Sequence, residues 1–189
     1  MELLRRYIYE SLKGPAGAGI LIPPPPPVEQ GLRELDLITY QYHNRFNPEV
    51  IQHALDSDMV RVFDSLLIAS GVDSQSSLIH QFKDEVLPII HLHKNHFDLA
   101  RPNELADQHN VEFVYDHLDS AQTPSYPSGH TTQAFYTATK LSRVFPELTE
   151  DLFVLANMIA ESRIDRGVHF LSDNEAGKLL AAKLTGEIS

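Results

Sequence analysis

From Leu32 to Leu180 the apolar residues of this chain return at three- and four-residue steps, and no segment shows the alternation of a strand. Leu32, Leu35, Ile38 and Tyr42 mark one helical face. Val50, Ile51, Leu55, Met59 and Val62 carry the next, which starts at Asn47-Pro48 and runs to about Ala69. Beyond Gly71, with Asp73 or Ser74 as cap, Leu78, Ile79, Phe82, Val86, Ile89 and Ile90 lead toward Lys94. Pro88 should bend that helix, and Pro102 should end it by forcing the preceding residue out of the helical region. Residues 103–126 read as a loop with one short helix. Further helices are expected over residues 131–144, from Thr149 past Ile159, and from Ser172 or Asp173 through Ala182. The pattern predicts an all-α fold, a single-domain helical bundle.

A chain of 189 residues is long enough to bury one core without staples. Residues 1–19 read as an N-terminal helix, from Leu3, Leu4, Ile8 and Leu12, followed by a Gly/Ala/Pro loop. Pro23 to Pro27 must adopt polyproline II, because each ring fixes φ and removes a donor, so residues 20–28 form a stiff strap. Residues 29–186 make the catalytic helical core. The net charge of −11 argues against a nucleic-acid polymer as partner and confines any anion site to a local basic pocket. Cysteine is absent, which excludes disulfides and thiolate metal sites. No run approaches the roughly 18 apolar residues of a membrane span. The N-terminus also lacks the apolar stretch of a signal peptide. Cytoplasm is therefore the default expectation, or periplasm if a leader has been removed.

Three short motifs carry chemistry. Lys94 and Arg101-Pro102 come first, then Pro127-Ser128-Gly129-His130, then Ser162-Arg163 with His169 and Asp173. Together they hold three cations, two histidines, a carboxylate and a Ser-Gly turn, an inventory suited to a phosphate-like oxyanion. Lys94 and Arg101 stand seven residues apart, which at about 100° per residue puts both on one face of a helix. A planar Arg fork binds two phosphate oxygens at once. Read alone, the pair is an ordinary solvated charged face; the later motifs change that. Ser128 and Gly129 sit just before a helix, where free N–H groups bind anions and Gly129 lets the backbone come close. His130 is then placed to act as a general acid. Gly167 lets the chain turn between Arg163 and His169. If residues 169–173 are helical, Asp173 can hold one His169 nitrogen and leave the other as nucleophile.

In this order and spacing the motifs resemble the type 2 phosphatidic-acid-phosphatase superfamily, which includes the vanadium haloperoxidases. Within it the chain is most similar to the bacterial class A non-specific acid phosphatases, which also have a proline run near the mature start. The resemblance implies a helical bundle of that type and a metal-independent phosphomonoesterase acting on small organic phosphates. His169 is then the nucleophile that becomes phosphohistidine, Asp173 its holder, and His130 the acid. Lys94, Arg101, Ser128, Gly129 and Arg163 bind phosphate. No cofactor or metal is implied, although phosphate or vanadate would occupy the same pocket, and a homodimer is implied because the family often oligomerises. Leu99 stands where some members carry a further Arg, and Asn174 where class A members often have an apolar residue.

Three other readings compete. A vanadium-dependent haloperoxidase would use the same pocket, but its chains are usually far longer. A Ser-His-Asp hydrolase built on Ser128 lacks the Gly-x-Ser-x-Gly elbow. A non-catalytic phosphate-binding module, acting through its proline strap, has no reason to keep His130, His169 and Asp173. His91, His93 and His96 do not converge on one helix face as metal ligands would. His43, His53, His80, His109 and His117 are expected at the surface, and Tyr126 is expected to pack.

Overall fold

The computed structural model describes residues 19–45 and 49–188; the expected helix over residues 2–13 and the Asn47-Pro48 start lie outside them. Among the described residues there is no strand, and the chain is all-α. No helix among them is long and apolar enough to cross a membrane.

The strap is tied down near its start. Leu21 N–H donates to His93 Nε2 at 2.9 Å, and Tyr126 O–H donates to Pro23 O at 2.9 Å. Pro27, at φ −59° and ψ 154°, hands the chain directly to helix α1 (Val28–Asn44), four residues before the apolar pattern begins at Leu32. Proline is well suited to a helix entry because its fixed φ suits the first turn and its missing N–H is not needed.

The helix expected through Ala69 is two helices, α2 (Glu49–Ser57) and α3 (Met59–Ala69). Asp58 separates them: its side chain accepts from Arg61 N–H at 3.0 Å, so the carboxylate starts a new helix where the period would continue the old one. Helix α4 (Ser76–Phe97) runs through Pro88. Neither Asp73 nor Ser74 caps it; Gln75 is the N-cap, and Asp64 of α3 fixes the entry by accepting from Gln75 N–H at 2.6 Å and Ser74 O–H at 2.7 Å.

At its far end α4 stops at Phe97, with Asp98 left-handed at φ 44° and its N–H on Lys94 O. Pro102 does not end this helix; it begins the next, α5 (Pro102–His109). Arg101 is therefore extended, at φ −76° and ψ 164°, with its N–H on Glu104 Oε2 at 2.7 Å. Lys94 and Arg101 do not share a helix face. The helix has already ended at the left-handed Asp98, so the seven-residue period does not carry through to Arg101, which the following proline also holds out of the α region.

Helix α6 (Gly129–Ser142) is central, packed on α4, α7 (Thr149–Asp165) and α8 (Leu171–Thr185). Its side chains are buried almost all round, including Thr131, Thr132, Ala134, Thr137, Ala138 and Leu141. Small and hydroxyl-bearing residues let neighbouring helices approach from every side. The main core forms around it, and a smaller one, of Leu35, Ile38, Leu105, Ala106, Ile164 and Phe170, seals α1 and α5 onto the α7–α8 junction. All the motif residues lie where these two cores meet, at the ends of α4, α6 and α7 and the start of α8.

Candidate active site

The N-terminus of α6 follows a cis Tyr126–Pro127 bond. Ser128 caps the helix, its Oγ accepting from Thr131 N–H at 3.4 Å and lying 2.9 Å from Thr131 Oγ1. Its own N–H donates to Asp173 O at 3.0 Å, which locks the start of α6 against the first turn of α8. A Cβ on Gly129 would meet only ordinary contacts, the nearer being Ile90 Cγ2 at 3.5 Å and Lys94 Cε at 3.7 Å. At the seam between α6 and α8 it is Gly177 that is tight: a Cβ there would lie 2.9 Å from Ser128 O and 3.0 Å from Thr131 Cβ.

Gly167, at φ 68°, turns the chain out of α7, with its N–H on Ile164 O at 2.8 Å. His169 lies just outside α8, with Phe170 as N-cap and Asp173 in the first turn. His169 Nδ1–H donates to Asp173 Oδ2 at 2.8 Å. The same oxygen accepts Ser125 O–H at 2.5 Å and Phe170 N–H at 3.0 Å. With Nδ1 carrying the proton, Nε2 presents a lone pair, 3.5 Å from Arg101 Nη1.

The cations arrive from separate elements. Arg101 donates through Nε to Thr123 O at 2.8 Å and through Nη1 to Val168 O at 2.6 Å. Lys94 Nζ donates to Pro124 O and, at 3.2 Å, to Ser125 O. Residues 123–125 thus bridge the two cations that the helix break separates. Arg163, 0% exposed in the last turn of α7, pairs with Asp56 and donates through Nη2 to Ser120 Oγ at 3.2 Å. His130 Nε2–H donates to Asp56 O at 3.1 Å. Beside this cluster lies a polar cavity of about 530 Å³ whose lining includes Arg101, Tyr115, His117, Thr123 and Val168.

The sequence pattern of the PAP2 superfamily matches residues 80–187, more than half the chain and all three motifs. The chain belongs to the PAP2 superfamily. It is 32% identical over 96 residues to an acid phosphatase of Zymomonas mobilis subsp. mobilis, a match covering 51% of this chain and 35% of that protein. The match therefore spans about a third of the relative's length. The fold is similar to the crystal structure of a transmembrane PAP2-type phosphatidylglycerolphosphate phosphatase from Bacillus subtilis. That likeness has a TM-score of 0.54 at 18% identity and covers 99% of this chain and 96% of the other. Family membership and the acid phosphatase relative support phosphatase activity at the level of the family.

Burial dominates the electrostatics of this PAP2 site. It lowers the proton affinities of Lys94, Arg101 and His169, and His169 is pushed well below its ordinary value by burial and then by Arg101, Lys94 and Arg163. His130 falls to about 4, through burial first and then Lys83, Lys94 and Arg101. Burial and Arg166 bring Arg163 down to about 9, still charged at neutral pH. Burial raises Asp173 despite its hydrogen bonds. Both histidines are thus neutral before an anion binds, held so by burial and a concentration of positive charge.

Asn174, the departure noted in the sequence, accepts from Thr131 O–H at 2.7 Å and donates to Ala160 O at 2.7 Å. Three residues at the site escape sequence reasoning: Ser125 braces Asp173, and Ser120 and Asp56 meet Arg163. Nothing in their spacing marks them, because each reaches the site only through the packing of its element. His93 is committed on both nitrogens, to Ile89 O and Leu21 N–H, whereas His91 and His96 are exposed. His43, His53, His80, His109 and His117 are exposed as expected. Tyr126 is buried, edge-on to Phe97 with centroids 5.2 Å apart.

Proposed function

We propose that this protein is a metal-independent phosphomonoesterase that hydrolyses small organic phosphate esters through a phosphohistidine. The observation that carries this reading is the His169–Asp173 hydrogen bond, which leaves Nε2 unprotonated beside Arg101. Nε2 attacks phosphorus and the bond to the leaving oxygen breaks, His130 giving that oxygen a proton. Water then attacks the phosphohistidine, His130 takes its proton back, and inorganic phosphate leaves. Lys94, Arg101, Arg163 and the N–H groups after Ser128 face the oxygens on which charge develops, work that metal ions perform in other phosphoryl-transfer sites.

Before substrate binds, His130 holds a proton too weakly to act as an acid at neutral pH. A bound phosphate ester supplies the missing negative charge against Lys94 and Arg101 and raises that affinity. As a monoanion, below its second pKa of about 6, it also brings the proton. The reading therefore carries an acid pH optimum.

The test is release of p-nitrophenol from p-nitrophenyl phosphate across pH 4–8, with and without EDTA and vanadate, beside His169→Ala. Activity that survives EDTA, falls with vanadate and disappears in the variant supports the mechanism. Activity retained by His169→Ala, or abolished by EDTA, overturns it.

A further inference from the structure

Asp56 stands at the end of α2, outside the PAP2-matched residues, and its side chain is only 9% exposed. Groups from three other segments converge on it. Arg163 of α7 pairs with its carboxylate, and Ser120 O–H from the 3-10 turn Asp119–Ala121 donates to Oδ1 at 3.0 Å. His130 of α6 lies 3.7 Å from the same oxygen and donates to the Asp56 carbonyl at 3.1 Å. Arg166 Nη1 is 3.9 Å from Oδ2. Two of these partners, Arg163 and His130, are the residues that a phosphate ester needs in the reaction above.

A carboxylate between a buried guanidinium and a histidine imitates a phosphoryl group. It imitates one incompletely, because Arg163 Nε keeps no hydrogen-bond partner among the described residues although the side chain is wholly buried. A buried N–H without a partner is costly, and a tetrahedral oxyanion brings more oxygens than a carboxylate to satisfy it. Helix α2 does not depend on Asp56 alone for its seat. Gln52 Nε2 donates to Asp165 Oδ2 at 2.8 Å, and Arg166 Nη1 donates to Gln52 O at 3.4 Å.

We propose that Asp56 is a resident counter-ion of the phosphate site, holding Arg163 and His130 until a phosphoryl group replaces its carboxylate. The proposal rests on the phosphatase reading. Substrate binding is then an exchange of anions: the α2 end lets go, His130 Nε2 is freed from the Asp56 carbonyl, and Arg163 turns its donors to phosphate. Apparent affinity is reduced by the fraction of molecules in which Asp56 is seated. A purely structural tether would have the opposite consequence, since removing it would loosen the site.

Asp56→Asn keeps the shape and removes the charge. Its affinity for inorganic phosphate, measured by titration calorimetry, is expected to rise about tenfold, with a matching fall in KM for p-nitrophenyl phosphate. Equal or weaker binding would overturn the proposal. Hydrogen exchange on the wild-type protein tests the same exchange of anions even if the variant does not fold. Saturating phosphate should accelerate exchange across Glu49–Ser57, and unchanged or slower exchange there overturns the assignment. A wild-type enzyme that hydrolyses the ester while α2 stays undisturbed sinks only the Asp56 proposal. Absence of both hydrolysis and phosphate binding in either protein sinks the phosphatase reading and this one with it.

Discussion

His169 Nδ1 donates to Asp173 Oδ2 across 2.8 Å, although only Asp173 belongs to helix α8. The bond fixes the tautomer and the ring together. Asp173→Asn is expected to lower kcat for p-nitrophenyl phosphate by roughly 10²-fold or more, with KM near the wild-type value, because an amide can donate to Nδ1 and so leave the proton on Nε2, which then has no lone pair for attack. Steady-state kinetics check this; a change confined to KM would contradict it.

Arg101 uses two edges of its guanidinium, Nε on Thr123 O and Nη1 on Val168 O. A lysine cannot fork in this way. Arg101→Lys should raise KM roughly tenfold and cost about 1–2 kcal/mol of stability by releasing the Thr123 and Val168 carbonyls. Urea unfolding alongside initial rates separates the two effects.

Acidification should destabilise the ligand-free protein. His93, His130 and His169 all have lowered proton affinities in the folded state, His130 near 4. Between the ordinary histidine value of about 6.5 and those folded values, the unfolded chain binds protons that the native one refuses. Their contribution is present above that ordinary value and lost as pH falls. Asp165 and Asp173, both raised by burial, work in the opposite direction, but they are two groups against three. Calorimetry should show Tm falling from pH 7 to pH 5, by roughly 2–4 °C per kcal/mol in a domain of this size. Phosphate should restore part of it, and a flat or rising Tm on acidification would contradict the assignment.

Gly177→Ala tests the seam between α6 and α8. The new Cβ would meet Ser128 O at 2.9 Å, a backbone atom that cannot swing away. The helices must part, at a cost of about 1–3 kcal/mol. Since Ser128 N–H is held by Asp173 O in the same seam, kcat should fall as well. Gly129→Ala, which meets only ordinary contacts inside the protein, should leave Tm near the wild-type value, and thermal melts of the two variants compare them directly.

Sequence alone determined the helical class, because three- and four-residue apolar spacing is a local property that survives whatever the helices pack against. It also supplied the candidate inventory: Lys94, Arg101, Ser128, Gly129, His130, Arg163, His169 and Asp173 lie in three short motifs, and their residue types suit an oxyanion pocket. Tertiary structure decided how that inventory is arranged. Lys94 and Arg101 meet across a left-handed Asp98 and a proline-started helix, joined by the carbonyls of residues 123–125. Asp56 and Ser120 reach Arg163 from distant parts of the chain. No periodicity encodes such meetings; they follow from how α2 and the 119–121 turn seat against α7, and packing of that kind is specified only when the whole core closes.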